Sequence, residues 1–267
     1  MNGKVGYLGP EGSYSHIAAR NMCREAELVP FHTFYAAVQA LSDGKIGACV
    51  LPIENTINGG VLQNMDLLES SPQLVAVREY TLRIDHRLIT LAGADRSKIN
   101  RIFSHRQALD QCSDFLHTHY PQAELIAENS TAAGISCIQR PTDAAIAGAQ
   151  CAAEGYDVSP ECISDEKNNY THFLLVVKGV LPEDFKSNKV YFSLTCNHVP
   201  GALLHLLSII NDYSLNMTKI ESRPIKDRVG EYRFFIEVEG DYSSRKIKQA
   251  LASLKSNTHS FRLIGAY

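Results

Sequence analysis

Residues 4–24 read KVGYLGPEGSYSHIAARNMCR. The apolar run Lys4 to Leu8 has strand character, and Gly9-Pro10-Glu11-Gly12-Ser13 combines the residues that break regular structure into a tight turn. Tyr14 to Arg24 is rich in Ala and reads as a helix. Strand, tight turn and helix N-terminus together form the opening unit of an α/β layer, and the pattern repeats along the chain. A helix follows from about Phe34 to Ser42, then a strand from Ala48 to Pro52. A glycine turn at Asn58-Gly59-Gly60 opens a helix running through Leu68. Leu74 to Leu91 is a long apolar and β-branched run broken by Arg78, Arg83, Asp85 and Arg87, so it is two strands or one long crossing strand. Next come a strand at Arg101 to Ser104, a helix from Gln107 to about His119, a strand at Glu124 to Ala127 and a helix capped by Ser130. A strand at Ala144 to Ala147, a helix through Tyr156 and an apolar strand at Thr171 to Val177 close the series. Strands alternating with helices at this spacing predict parallel sheets covered by helices on both faces.

The pattern then changes. Residues 178–189 mix Pro, Gly and charge as a linker does. Beyond it, strands at Val190 to Cys196, Met217 to Arg223, Tyr232 to Glu239 and Ser260 to Ala266 alternate with helices at Ala202 to Tyr213 and Ser243 to Leu254. That order, βαββαβ, is the ferredoxin-like split motif.

Length and composition agree with two domains. The chain has 267 residues, 45% hydrophobic and 21% charged, within the range of globular proteins. A formal net charge of -3 leaves no basic field for nucleic acid. The longest uninterrupted apolar stretch, Phe173 to Val177, falls far short of the roughly 18 residues of a membrane span. The N-terminus runs directly into a strand without a signal-like apolar region, so a cytoplasmic location is expected. Seven cysteines lack any Cys-x-x-Cys pair and read as free, mostly buried thiols. Ten histidines include no His-Glu-x-x-His, so neither disulfides nor a metal is implied.

Open parallel sheets bind ligands beyond the carboxyl ends of their strands, and polar clusters stand at those positions here. Gly9-Pro10-Glu11-Gly12-Ser13-Tyr14-Ser15 offers hydroxyls and backbone N–H groups to a carboxylate, although its glycine spacing is not the dinucleotide fingerprint. Glu54, Asn55 and Thr56 follow the strand at Ala48 to Pro52. Ser104-His105-Arg106-Gln107 and Glu128-Asn129-Ser130-Thr131 hold equivalent places, where each taken alone reads first as a cap of its helix. Asn169, Thr171 and His172 stand at the start of the returning strand.

These motifs in this order resemble the bacterial-type prephenate dehydratases with a C-terminal ACT regulatory domain. The landmarks are Gly9-Pro10-x-Gly12-Ser13-Tyr14-Ser15, Pro52-Ile53-Glu54-Asn55-Thr56, Ile84-x-His86-x-Leu88, Ser104-His105-x-Gln107-Ala108-Leu109, Ser130-Thr131-Ala132-Ala133 and Asn169-x-Thr171. In the tail they are Gly201-Ala202-Leu203-Leu204 and Glu221-Ser222-Arg223-Pro224. The resemblance implies a two-lobed, periplasmic-binding-protein-like catalytic domain over residues 1–180, with one lobe at about 1–77 and 162–180 and the other at about 78–161. It implies a ferredoxin-like ACT domain over 189–267. The implied reaction is the conversion of prephenate to phenylpyruvate with loss of water and carbon dioxide, without metal or organic cofactor. Thr171 is the family's essential hydroxyl, and Glu54, if burial lifts its carboxyl, is the proton source behind it. Substrate contacts are expected from Ser13, Tyr14, Ser15, Asn55, Thr56, Ser104, Gln107, Ser130, Thr131, Asn169, His172 and Phe173. Phenylalanine, the implied feedback inhibitor, is expected at Asn197, Pro200, Gly201, Ala202, Leu203, Leu204, Glu221, Ser222, Arg223 and Pro224. A homodimer or homotetramer is implied.

Two departures bear on the site. His172 stands where the family usually has Arg, replacing a permanent planar cation with a group titrating near 6.5. Thr56 stands where the family usually has Ser and keeps the hydroxyl. With His172 weaker as a cation, carboxylate binding could fall to Arg106, itself at a position where the family commonly has Pro. Arogenate dehydration, decarboxylation of prephenate without loss of the hydroxyl, and a non-catalytic amino-acid sensor stay open as alternatives.

Overall fold

The computed structural model describes residues 3–196, 199–225 and 231–267. In chain order the elements are β1 (Lys4–Leu8), α1 (Tyr14–Met22), β2 (Glu27–Phe31), α2 (Phe34–Ser42), β3 (Ala48–Asn55), β4 (Gly59–Gly60), α3 (Leu62–Glu69), β5 (Leu74–Arg83) and β6 (Arg87–Leu91). They continue with β7 (Arg101–His105), α4 (Arg106–Asp110), α5 (Ser113–His119), β8 (Glu124–Glu128), α6 (Thr131–Ser136), β9 (Asp143–Ala147), β10 (Tyr156–Val158) and β11 (Tyr170–Lys178). The C-terminal part is β12 (Lys189–Thr195), α7 (Ala202–Asp212), β13 (Met217–Pro224), β14 (Tyr232–Glu239), α8 (Arg245–Ser256) and β15 (Ser260–Ala266).

By proximity of Cα atoms the chain divides into two compact units. Unit one comprises residues 1–37, 49–59 and 80–173, and unit two comprises 38–48, 60–79 and 174–267. Strands β3, β5 and β11 each contribute residues to both units.

Unit one holds the order β5-β11-β3-β1-β2 and a second sheet ordered β10-β6-β9-β7-β8. In the second sheet β7 pairs in parallel with β8 and β9, whereas β6 is antiparallel to both β9 and β10. It is therefore mixed rather than parallel. Part of the reason lies at residues 148–156, where a helix is expected. Only one 3₁₀ turn forms, Ala149–Cys151, and Gly155 adopts φ +95°, which turns the chain out into the short edge strand β10. Two apolar layers cover this sheet, one built on Leu88, Ile102, Leu109, Leu116 and Ile146, the other on Ile89, Phe103, Ile135 and Ala145. Helix α6 approaches β7 closely at Gly134, where a Cβ would lie 2.8 Å from the Phe103 carbonyl oxygen. Only glycine allows that approach.

Strand β2 escapes the sequence reading because Pro30 argues against a strand interior. It forms at the edge of its sheet, paired in parallel with β1, where a missing N–H is tolerated. The helix expected over 107–119 breaks in two. Asp165 causes the restart: its carboxylate accepts from Asp114 N and Ser113 Oγ at 3.2 Å and from Phe115 N at 3.4 Å, capping α5. Gln111 lies in the gap between α4 and α5.

Unit two contains the expected βαββαβ order. Its sheet runs β13-β14-β12-β15-β5-β11, with β12 antiparallel to β14 and β15 and a short parallel contact between β15 and β5 at Gly265 and Ala76. Val190, Phe192, Leu194, Ile236 and Val238 meet Leu206, Ile209 and Ile210 of α7 and Ile247 and Leu254 of α8 in one core. Helix α3 lies against the same sheet through polar contacts. Arg223 pairs with Asp66 at 2.5 Å, Arg233 with Glu69 at 3.1 Å, and Ser193 hydrogen-bonds Glu69.

Candidate active site

The centre of unit one is a chain of buried amides where β3 ends beside the start of β11. Asn55, the last residue of β3, is 8% exposed; Asn169 is fully buried and Thr171 is 9% exposed. The Asn55 Oδ1 accepts from the backbone N–H groups of Ile57 and Asn58, both at 3.1 Å, so an Asx-type turn fixes which end of the amide is oxygen. Its Nδ2 must then donate, and three acceptors surround it: Asn169 Oδ1 at 2.7 Å, Tyr170 O at 3.0 Å and Thr171 Oγ1 at 3.0 Å. The Thr171 oxygen is thus an acceptor from Asn55, and its own proton is left to donate elsewhere.

Thr56 clamps the two segments together. Its hydroxyl donates to Asn168 O and accepts from Tyr170 N, each at 2.9 Å, and its N–H reaches Tyr170 O at the same distance. The hydroxyl retained in place of the family's Ser therefore holds backbone. Behind Asn169 stand two residues to which the sequence assigned no role. Gln111 Oε1 lies 3.0 Å from Asn169 Nδ2 and 2.9 Å from His86 Nε2, and His86 Nδ1 lies 3.3 Å from Tyr14 Oη, which also donates to Asp85 O at 3.1 Å. Burial holds the His86 pKa below its usual value, outweighing the opposite pull of Gln111 and Asp85. Burial likewise raises the Tyr14 hydroxyl far above its usual pKa, keeping it protonated.

Gln111 also faces open space. With Ile57, Asn58, His105, Arg106, Gln107, Asp110, Asp165 and Glu166 it lines a cleft of about 560 Å³, a size suited to a small metabolite. Arg106 carries a cation into this wall, partnered by exposed Asp110 at 3.1 Å.

Other expected site residues are placed differently. Ser13 caps α1, accepting from His16 N at 3.2 Å and donating to Leu8 O at 2.9 Å, so its hydroxyl closes its own turn. Ser15 is buried. Ser130 caps α6 through Ala133 N at 3.0 Å, with Thr131 as that helix's first residue. Ser104 is fully buried and donates to Ile146 O across the sheet. Phe173 is 1% exposed, a core side chain. In this structure the Ser13, Ser104 and Ser130 hydroxyls serve caps and sheet, and the Phe173 ring lies in the core. Successive strand side chains point to opposite faces, which separates two further pairs. Glu54 lies on the face of β3 opposite to Asn55. His172 lies on the face of β11 away from Thr171, and its Nδ1 is 2.9 Å from Thr81 Oγ1.

All seven cysteines are free. Burial raises the thiols at Cys49, pushed up to about 12, and at Cys151, pushed up to about 11, so neither is a thiolate nucleophile at neutral pH. Among the described residues no group of three or more His, Cys, Asp or Glu side chains converges to hold a metal ion. No described helix is long and apolar enough to cross a membrane.

In unit two, Pro200, Gly201, Ala202, Leu203 and Leu204 line a cavity of about 480 Å³ with Cys196, Val199, Glu231, Tyr232 and Phe234. Gly201 takes φ +81° at the start of α7, a left-handed conformation that favours glycine. The second motif does not join that cavity. Arg223 turns to Asp66, and the Glu221 carboxylate lies 3.6 Å from where a Cβ on Gly60 would be, while Ser222 and Pro224 alternate to the exposed face. Asn197 lies outside the described residues.

Fold and site define a class: an α/β protein with a buried Asn-Asn-Thr cluster beside a polar cleft, followed by a small ferredoxin-like domain of the ACT type. Models of two families match the chain, prephenate dehydratase over residues 5–179 and the ACT domain over 190–256. The chain belongs to the prephenate dehydratase family. A prephenate dehydratase of Lactococcus lactis is 34% identical over 272 residues, covering 99% of this chain and 97% of that protein. The solved structure of a prephenate dehydratase from Arthrobacter aurescens in complex with L-Phe superposes with a TM-score of 0.88 at 29% identity, covering 99% of this chain and 90% of that one. A structure described as a novel type of quorum-quenching acylase gives 0.87 at 25% identity, covering 99% and 97%. Shared architecture therefore leaves the reaction to be argued from the side chains.

Proposed function

We propose that this chain is a prephenate dehydratase, its catalytic part within residues 1–180, regulated by phenylalanine through an ACT domain at 189–267. The observation that carries the reading is the Thr171 hydroxyl, which accepts from Asn55 Nδ2 and keeps its proton to give. In prephenate the C–C bond to the ring carboxylate breaks, its electron pair enters the ring, and the C4–O bond breaks with its pair on the departing hydroxyl. With one proton taken up from solvent that hydroxyl leaves as water, so carbon dioxide, water and phenylpyruvate account for every atom. Thr171 donates a hydrogen bond to the leaving oxygen as negative charge develops on it. A Thr hydroxyl is too weak an acid to ionise by itself, but donation from Asn55 to its oxygen strengthens it as a donor. Arg106 and Gln107, on the cleft wall, are the groups for a substrate carboxylate, since His172 faces away. Asn169 holds Asn55, and Thr56 holds the backbone of both segments.

Phenylalanine is proposed to bind at the Gly201 cavity, whose apolar lining of Val199, Leu203, Leu204 and Phe234 suits an aromatic side chain. Exposed Val199, Leu204, Ile220 and Tyr232 on the same unit support a homo-oligomer formed through that surface. The seven free thiols fit a reducing cytoplasm.

The test is direct. The purified chain is incubated with prephenate at neutral pH, and phenylpyruvate is followed by its ultraviolet absorbance in base, with arogenate tried alongside. Thr171→Ala should lower kcat about a hundredfold or more while the circular dichroism spectrum is retained. Near wild-type turnover by that variant overturns the role of Thr171. Unreacted prephenate in the parent indicates a sensor, and a non-aromatic product indicates a decarboxylase.

A further inference from the structure

We propose that His86 and Gln111 are positioning residues of this site: through one directional hydrogen-bond chain they hold Asn169, and through it Asn55, in the orientation that keeps Thr171 a donor. The direction of the chain is imposed from one end. The N–H groups of Ile57 and Asn58 face Asn55 Oδ1, so Asn55 Nδ2 donates to Asn169 Oδ1. Asn169 must then present its Nδ2 to Gln111, whose facing atom is the acceptor Oε1. That same oxygen lies 2.9 Å from His86 Nε2, so His86 carries its proton on Nε2 and turns the Nδ1 lone pair to the Tyr14 hydroxyl. Of the two neutral forms of His86, only this one gives Gln111 Oε1 a donor without reversing an amide, and the single Tyr14 proton is then shared between Asp85 O and His86 Nδ1. The opposite His86 tautomer would set two lone pairs against each other at Gln111, or flip Gln111, Asn169 and Asn55 in turn until an NH₂ group met the N–H groups of Ile57 and Asn58.

Burial gives this constraint force. His86 is 3% exposed and Asn169 fully buried, so a misdirected group has no water to turn to, and the cost of an unmatched donor is not relieved. Gln111 is placed for the task by the break between α4 and α5, and His86 by its position just before β6, where Ile84 N donates to Asn169 O at 2.8 Å and Ile163 N to His86 O at 2.9 Å. Neither residue reaches Thr171; both act on it through amides.

This rests on the proposed dehydratase reading, and the test separates the two. The tautomer of His86 is read from the imidazole ¹⁵N shifts of the full chain at pH 7, without substrate. A neutral ring protonated on Nε2 is expected; a ring protonated on Nδ1 overturns the inference whatever the enzyme turns over. Kinetics with prephenate follow. His86→Leu removes the donor to Gln111 and should lower kcat by about thirtyfold or more with KM within about twofold, because displacement of a reacting group is costly while the cleft wall is untouched. His86→Gln places an amide N–H near the Nε2 position and should recover kcat to within about fivefold of the parent. Equal kcat in His86→Leu and the parent, or a loss carried by KM alone, overturns the positioning role. If His86→Leu does not fold, the tautomer and the His86→Gln rate decide. A parent inactive on prephenate with the Nε2–H tautomer present refutes the dehydratase reading and leaves the hydrogen-bond chain standing.

Discussion

Asn55→Asp changes one NH₂ group to oxygen at the most crowded point of the amide chain. Asn55 Nδ2 has Asn169 Oδ1, Tyr170 O and Thr171 Oγ1 within 2.7 to 3.0 Å, and its Oδ1 serves Ile57 N and Asn58 N. Aspartate keeps the second set and loses both hydrogens of the first. Two buried hydrogen bonds removed, with acceptors left facing acceptors, cost about 1 to 3 kcal/mol each, so about 2 to 6 kcal/mol is lost while the carboxyl is ionised. Protonating the carboxyl returns one hydrogen and removes a buried charge, so its folded-state pKa must lie above the unfolded value of about 3.9. The sign follows: in the variant the folded state binds more protons than the unfolded state, so the added instability grows as pH rises through that window and shrinks as pH falls. Each pH unit in the window is worth at most about 1.4 kcal/mol, so the gap between variant and parent should widen by up to about 2.7 kcal/mol from pH 5 to pH 7. Urea denaturation followed by circular dichroism at both pH values, variant against parent, measures it. Turnover should be lost in parallel, since a carboxylate in place of the Asn55 amide no longer donates to the Thr171 oxygen, the hydrogen bond that turns the Thr171 proton toward the departing hydroxyl. A gap of equal size at both pH values, or one larger at pH 5, would refute the assigned direction of the Asn55 amide.

Asp143 is fully buried in β9 and accepts from Arg101 through two nitrogens at 2.8 Å and from Gln139 N and Arg140 N at 3.0 and 2.9 Å; Asp143→Ala leaves Arg101 without its partner and should cost about 3 to 5 kcal/mol in urea denaturation. Burial lowers the pKa of both His86 and His16, so below about 6.5 the unfolded chain takes up protons that the folded chain does not. Stability should fall as pH drops from 6.5 toward 5.5 and be flat just above 6.5; an unchanged or higher urea midpoint at pH 5.5 would show that these rings charge readily in the fold.

Much of this protein is legible in the chain because its elements are local. The turn at Gly9 to Ser13, the helix at Phe34 to Ser42, the cap at Ser130 and all six elements of the C-terminal βαββαβ unit follow from period, propensity and punctuation, and the resemblance carried by Asn55, Asn169 and Thr171 led to the family. What the chain could not display is which polar group spends its hydrogen bonds on structure. Ser104 and Ser130 look alike as hydroxyls after strands, yet one is bonded across a sheet and the other caps a helix. Gln111 reads as an ordinary residue of one long helix. It reaches the site because Asp165, distant in sequence, interrupts that helix with a competing cap. His86 gains its role only where Gln111 and Tyr14 converge on it. Hydrogen-bond direction is a property of the closed network: Asn55 is fixed by the two N–H groups beside it in sequence, but its effect travels through partners 114 and 58 residues away along the chain. Pattern in the sequence chose the elements; exclusion of water from their meeting point decided which way each amide must face.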